Sequence, residues 1–272
     1  MKSLLNFIFI LNIIAVVSCG LPDVTSIVQE MNQPFITKLI PGNNSVTVEF
    51  QAQNNEPAFS GYNIYFGDSV NPQRYRLYNS QKSRPTIIVG ASQNINTYTF
   101  TIEPRGYYSE GSGEVLTLTE SQLQNGIPIY VWVSAYQITP QAESYYYYDN
   151  YVKMATPRPE SSNQTISSGS TITSGGRQLA VLSGTAGNLQ FQNVANGTIQ
   201  MTGGTSLNDI TVPPTDGYGS ASLTVTVQRL YLVKITEGND NNYYGKIFVQ
   251  SVNGESITID YCHQPSANIL SY

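Results

Sequence analysis

The chain has 272 residues, with 13 Lys and Arg against 18 Asp and Glu, a net charge of −5 and no basic run. That balance argues against nucleic acid as a partner. Twenty tyrosines among abundant Asn, Ser, Thr and Gly, with few Leu and Ala, disfavour sustained helix and predict an all-β protein with many turns.

The N-terminus carries Lys2, then a 14-residue run from Leu4 to Val17 broken only by Asn6 and Asn12, then Ser18-Cys19-Gly20. A short positive start, a short apolar stretch and small residues at a cut site are what a signal peptidase reads. A spanning helix needs roughly 20 apolar residues, so this stretch is too short for a good permanent anchor. Val16-Val17-Ser18-Cys19 resembles the lipobox of bacterial lipoproteins, with Val16 where that pattern more often has Leu. The resemblance implies a signal peptide over 1–18 and a Cys19 that carries acyl chains such as palmitate. Each buried CH₂ adds ~0.8 kcal/mol, so several chains hold firmly. It also implies a place in the cell envelope, at the outer membrane or cell surface rather than the inner membrane. The alternative is an ordinary secretory signal cut after Ser18, which leaves Cys19 a plain thiol. A bridge from there to Cys262, the other cysteine, would be an odd design.

Residues 19–32 read as a tether. Phe35 to Ile40 then alternates and ends at the turn cluster Pro41-Gly42-Asn43-Asn44. Ser45 to Phe50 puts Val46, Val48 and Phe50 on one face. Gly61 to Phe66 is the next strand, followed by Arg74 to Tyr78, Thr86 to Val89, Thr97 to Ile102 and Val115 to Thr119. Gly126 to Tyr136 reads as a central strand with Pro128 near its start, and Tyr148 to Thr156 as a closing strand.

These residues carry a second resemblance. Val46-x-Val48-x-Phe50, Gly61-Tyr62-x-Ile64-Tyr65 and Leu123-x-x-Gly126-x-x-x-Tyr130-x-Trp132-Val133-Ser134-Ala135 resemble three strands of a fibronectin type III domain. Residues 33–157 are therefore expected to form an Ig-like sandwich, with Tyr130 placed for a tyrosine corner. The Gly126-to-Tyr130 spacing is one residue longer than usual. The stretch 71–113 is longer than the family allows, so its topology is open.

Residues 158–177 are rich in Ser, Thr and Gly and read as a linker, with an irregular edge strand around Thr171 to Thr173 as the alternative. Residues 178–272 form a second antiparallel β domain. Its expected strands are Leu179 to Leu182, Asn188 to Gln192, Thr198 to Met201, Ala221 to Val227, Leu230 to Thr236, Tyr243 to Ser251 and Ser256 to Cys262. Asn253-Gly254 predicts a tight hairpin, so the last three strands make a meander. Tyr243-Tyr244-x-Lys246-Ile247 with Ile257-x-Ile259-x-Tyr261-x-x-Gln264 resembles the C-terminal hairpin of HmuY-like haem-scavenging lipoproteins. The match covers about 35 residues, and that family's axial ligands find no counterparts here.

No Gly-x-Ser-x-Gly elbow and no His/Cys cluster of metal spacing is present, and His263 is the one histidine. His263 reads as a surface residue at a strand end and Cys262 as a half-buried one. Asp240 among Asn239, Asn241 and Asn242 lacks the acids of a calcium loop and reads as a turn, as does Asp216-Gly217. Asn43, Asn163 and Asn196 head glycosylation triplets that matter only in a eukaryotic secretory host. The distinctive surface feature is the run Tyr145-Tyr146-Tyr147-Tyr148, with Tyr107, Tyr108, Tyr136 and Tyr151. Exposed tyrosines give contact area at low entropy cost, which suits a host protein or a glycan. The sequence thus predicts a lipid-anchored, non-catalytic binding or adhesion protein without cofactor. The alternative is a surface lipoprotein that captures haem or glycan.

Overall fold

The structure is a computed structural model describing residues 31–67, 75–77, 85–108, 115–117, 119–144 and 152–270. It is all-β and antiparallel, with no helix among the described residues.

The first unit contains β1 (Phe35–Gly42), β2 (Ser45–Ala52), β3 (Phe59–Gly67), β4 (Tyr75–Leu77), β5 (Ile87–Ile88), β6 (Asn96–Ile102), β7 (Gly106–Tyr108), β8 (Val115–Thr117), β9 (Ile129–Gln137), β10 (Ala142–Glu143) and β11 (Lys153–Ala155). Strands β1-β2-β6 form one sheet. Strands β10-β9-β3-β4 form the other, with β11 also on β9 and β5 also on β3. The alternation read in β2 is what joins them. Val46, Val48 and Phe50 all point inward and are fully buried against Tyr62, Ile64 and Phe66 of β3 and Val131 and Val133 of β9. Burying such side chains contributes roughly 1.5–3 kcal/mol each. Phe50 sits edge-on to Tyr62 at 5.0 Å and stacks on Tyr98 at 5.4 Å. This is the expected Ig-like sandwich. Its long middle stretch builds β4, β5 and the separate β7–β8 ribbon. At Gly61, φ is +140° and an added Cβ would lie 2.0 Å from the Ile87 carbonyl oxygen, so only glycine lets β5 close on the bulged start of β3.

The second unit contains β12 (Glu160–Ser167), β13 (Thr171–Ser174), β14 (Arg177–Ser183), β15 (Gln190–Gln192), β16 (Gly197–Thr202), β17 (Ser222–Thr224), β18 (Arg229–Glu237), β19 (Asn241–Asn253) and β20 (Ser256–His263). The expected linker at 158–177 is therefore corrected. Most of it is two strands, β12 pairing with β20 and β13 with β14. Strand β12 is a polar edge strand held by its backbone, so it has no apolar period, and its side chains discourage further pairing. The β18–β19–β20 meander is as expected, and Gly254 opens its last turn at φ +61°.

The sheet β12-β20-β19-β18-β16 packs against β13-β14-β15-β17 through Phe191, Leu182, Tyr231, Val233, Ile247 and Ile259. Its other face is also covered. Leu230, Leu232, Tyr244, Phe248 and Cys262 form a smaller core with Leu207 from the connection between β16 and β17. The units are docked through their junction. Arg158 N–H donates to Gly42 O, Gly126 N–H to Pro157 O, Ser266 Oγ to Gly126 O and Gln264 Nε2 to Thr156 O.

Candidate functional site

Cys19 and the four tyrosines Tyr145, Tyr146, Tyr147 and Tyr148 lie outside the described residues, as does Tyr151. Tyr107 and Tyr108 lie on β7. Tyr136 departs from the expectation of an exposed aromatic face, because it is 2 % exposed. It belongs to the outer face of β9 and β3, which is buried as well as the inner one. There Tyr65 and Trp132 stack at 4.7 Å, and Asn63 and Ser134 are fully buried beside them. The Glu143 carboxyl, on β10, organises these groups. It accepts from Asn63 Nδ2 (2.7 Å), Tyr65 OH (2.8 Å) and Ser134 Oγ (2.6 Å). Ser144 continues the tie, since its Oγ accepts from Ala135 N–H (2.9 Å) and donates to Gln33 Oε1 (2.8 Å). The chain is thus pinned firmly just ahead of the tyrosine run.

His263 is the clearest departure. Expected at the surface, it is 2 % exposed, at the inner end of β20. Its Nδ1 is 2.9 Å from Ser174 Oγ, which leaves Nε2 as the ring nitrogen available to an adjoining cleft of about 430 Å³. The β13–β14 turn closes over the ring. Gly175 (φ +54°) and Gly176 (φ +85°) are both left-handed, the backbone of a tight hairpin. A Cβ on Gly175 would sit 2.6 Å from His263 Cε1. Burial, reinforced by the Arg177 charge, pushes the imidazole down to about 4, so it is neutral at pH 7. Arg177 is held over the Tyr243 ring, 3.5 Å from its centroid, and is paired with Glu237. The cleft therefore offers a neutral imidazole, the Gln178 amide and an Arg177–Glu237 ion pair.

No protein-family model matches the chain, and no curated protein is significantly similar to it. Among solved structures, a DUF4466 family protein from Parabacteroides merdae ATCC 43184 is similar at a TM-score of 0.40 and 9% identity, over 86% of this chain and 98% of that one. Nothing about function carries over at that level.

The second chemical cluster sits behind the small core at the junction. Lys246, fully buried on β19, donates from Nζ to Leu207 O (2.7 Å) and to Ile210 O. These carbonyls belong to the irregular connection between β16 and β17, whose buried polar backbone needs partners. The same connection is tied by Asp209, which accepts from Ser206 Oγ (2.6 Å) and Thr205 Oγ1 (3.0 Å). These hydrogen bonds hold its carboxyl down to about 2. Burial pushes Lys246 down to about 7, and the Arg158 charge adds to this. Arg158 is itself fully buried, bonded through Nη2 to Asn208 (3.2 Å) and Glu160 (3.4 Å). Cys262, expected half-buried, is fully buried here, and burial pushes its thiol up.

The Asn239–Asn242 turn is a plain hairpin turn. The Asn242 side-chain oxygen accepts from Thr236 Oγ1 at 2.9 Å. Among the described residues no three His, Cys, Asp or Glu side chains gather where they would hold a metal ion.

Proposed function

We propose that the chain is an exported, lipid-anchored protein of the cell envelope that acts by binding rather than catalysis. One observation carries this reading: the short apolar run Leu4 to Val17 ends on Ser18-Cys19, a lipobox-like site directly ahead of an all-β chain. In this reading Cys19 holds the protein at the outer membrane or cell surface. The tether expected over 19–32 ends sooner, because Met31 is buried in the sandwich core and Asn32 N–H donates to Glu56 Oε1 (2.9 Å). In this reading residues 20–30 give it reach, and the Tyr145–Tyr148 stretch, just beyond the Glu143 anchor, contacts a host protein or glycan. A Cys19→Ala change in the full chain is expected to move the protein from the membrane fraction to the soluble fraction. A variant that stays membrane-bound in high salt would contradict the anchor.

The His263 cleft favours a second reading, capture of a haem or glycan by the C-terminal unit. A haem titration of the full chain would then show a Soret shift that His263→Asn abolishes. No shift with the unaltered protein removes the haem version.

A further inference from the structure

The Ig-like sandwich has an open side where β1, the edge of one sheet, runs beside β11 on the other. Between these strands, and capped by Thr211 and Val212 from the second unit, lies a groove of about 380 Å³. Small-molecule sites fall between ~300 and 1,000 Å³. Three of the large apolar side chains that the molecule leaves exposed meet here: Phe35 at 51%, Met154 at 45% and Val212 at 60%. Leu39 adds to the same lining. Scattered apolar residues on a surface need no explanation, but a concave cluster does.

The charged groups of the groove are both cations, Lys38 and Lys153, and the Lys153 ammonium lies 5.6 Å from the Phe35 ring centroid. One carboxylate stands beside the lining, since Glu49, the cross-strand partner of Lys38, accepts from Thr37 Oγ1 at 3.0 Å. The charged side chains that line the groove itself are the two lysines, in a chain whose net charge is −5.

The edge itself is blocked against an added strand. Strand β1 has a bulge between Ile36 and Lys38, carries Lys38 at that bulge and has Pro41, which offers no N–H. An extended peptide is thus disfavoured, while an apolar tail with one anionic end matches both lining and charge.

We infer that this groove binds a single-chain amphiphilic anion of the fatty-acid class. The tail lies along Phe35, Leu39, Met154 and Val212, and the carboxylate points to Lys38 and Lys153. This goes beyond the proposed function and stands whether or not Cys19 carries lipid.

The test is fluorescence titration of the purified full chain with cis-parinaric acid, a polyene fatty acid, and competition by palmitate and by its methyl ester. Saturable binding is expected. Met154→Asp and Val212→Asp each weaken it by about tenfold or more, because they put a repelling charge in the tail path. Lys38→Glu with Lys153→Glu weakens the acid but not the ester. Far-UV circular dichroism confirms that each variant is folded. Absence of saturable binding overturns the inference, as does equal competition by acid and ester. Binding that survives all four substitutions, or association with phospholipid vesicles alone, overturns it too.

Discussion

Replacing Glu143 with Ala is expected to destabilise the first unit by at least about 3 kcal/mol, because each buried donor left without an acceptor costs roughly 1–3 kcal/mol. The Glu143 carboxyl is the shared acceptor for Asn63, Tyr65 and Ser134. Asn63 and Ser134 are fully buried, so water cannot replace it without opening the strand pair. At roughly 2–4 °C per kcal/mol for a chain of this size, thermal unfolding should fall by about 10 °C. Glu143→Gln keeps the shape and one acceptor oxygen, so it should fall between Ala and the unaltered protein. An Ala variant within a degree or two of the parent would show that the network contributes little. The same loss should loosen the chain just beyond Ser144, so proteolytic cleavage after residue 144 should quicken in step with the stability loss.

The second large effect is a pH dependence carried by Lys246. An exposed lysine titrates near 10.5, and the folded protein holds this one at about 7. The charged form is thus disfavoured in the fold. The penalty is complete below pH 7 and fades as pH rises towards 10.5, where the unfolded chain also loses its proton. Stability carried by this residue therefore rises with pH across that window. The neutral amine keeps two N–H groups, enough for the Leu207 and Ile210 carbonyls, so deprotonation removes the charge without unlatching the connection. Relative to a Lys246→Met variant, the parent is expected to gain roughly 3 kcal/mol between pH 6 and pH 9.5, at 1.36 kcal/mol per unit. Urea unfolding at the two pH values reads the difference directly. Parallel curves for parent and variant would mean that Lys246 is not held in a desolvated site.

Much of the fold was legible because alternation in a half-buried strand is a local property. Val46, Val48 and Phe50 announce their face by spacing alone, and all three are fully buried. Strand β12 was not legible, because Glu160–Ser167 contributes backbone hydrogen bonds and hardly any apolar surface. Ile172 and Ser174 do alternate inward in β13, a period-2 signal that the surrounding Ser, Thr and Gly obscured. The second small core was half legible. Leu230, Leu232, Tyr244 and Phe248 make β18 and β19 apolar on both faces, which requires a cover, but the cover is an aperiodic connection.

The chemistry was harder to see. Nothing in the local sequence around Glu143 marks it, because two of its partners, Asn63 and Tyr65, lie about 80 residues away. His263 looked like a strand-end residue because its burial comes from the Gly175-Gly176 turn folding over it from another sheet. The groove between β1 and β11 joins residues from both units, so no single stretch could suggest it.

The envelope role depends on Cys19. The most direct measurement is the mass of the N-terminal peptide of the protein recovered from its cells. The expected chain begins at Cys19 and carries a diacylglyceryl thioether. An unmodified Cys19, or a chain that begins beyond it, would contradict it.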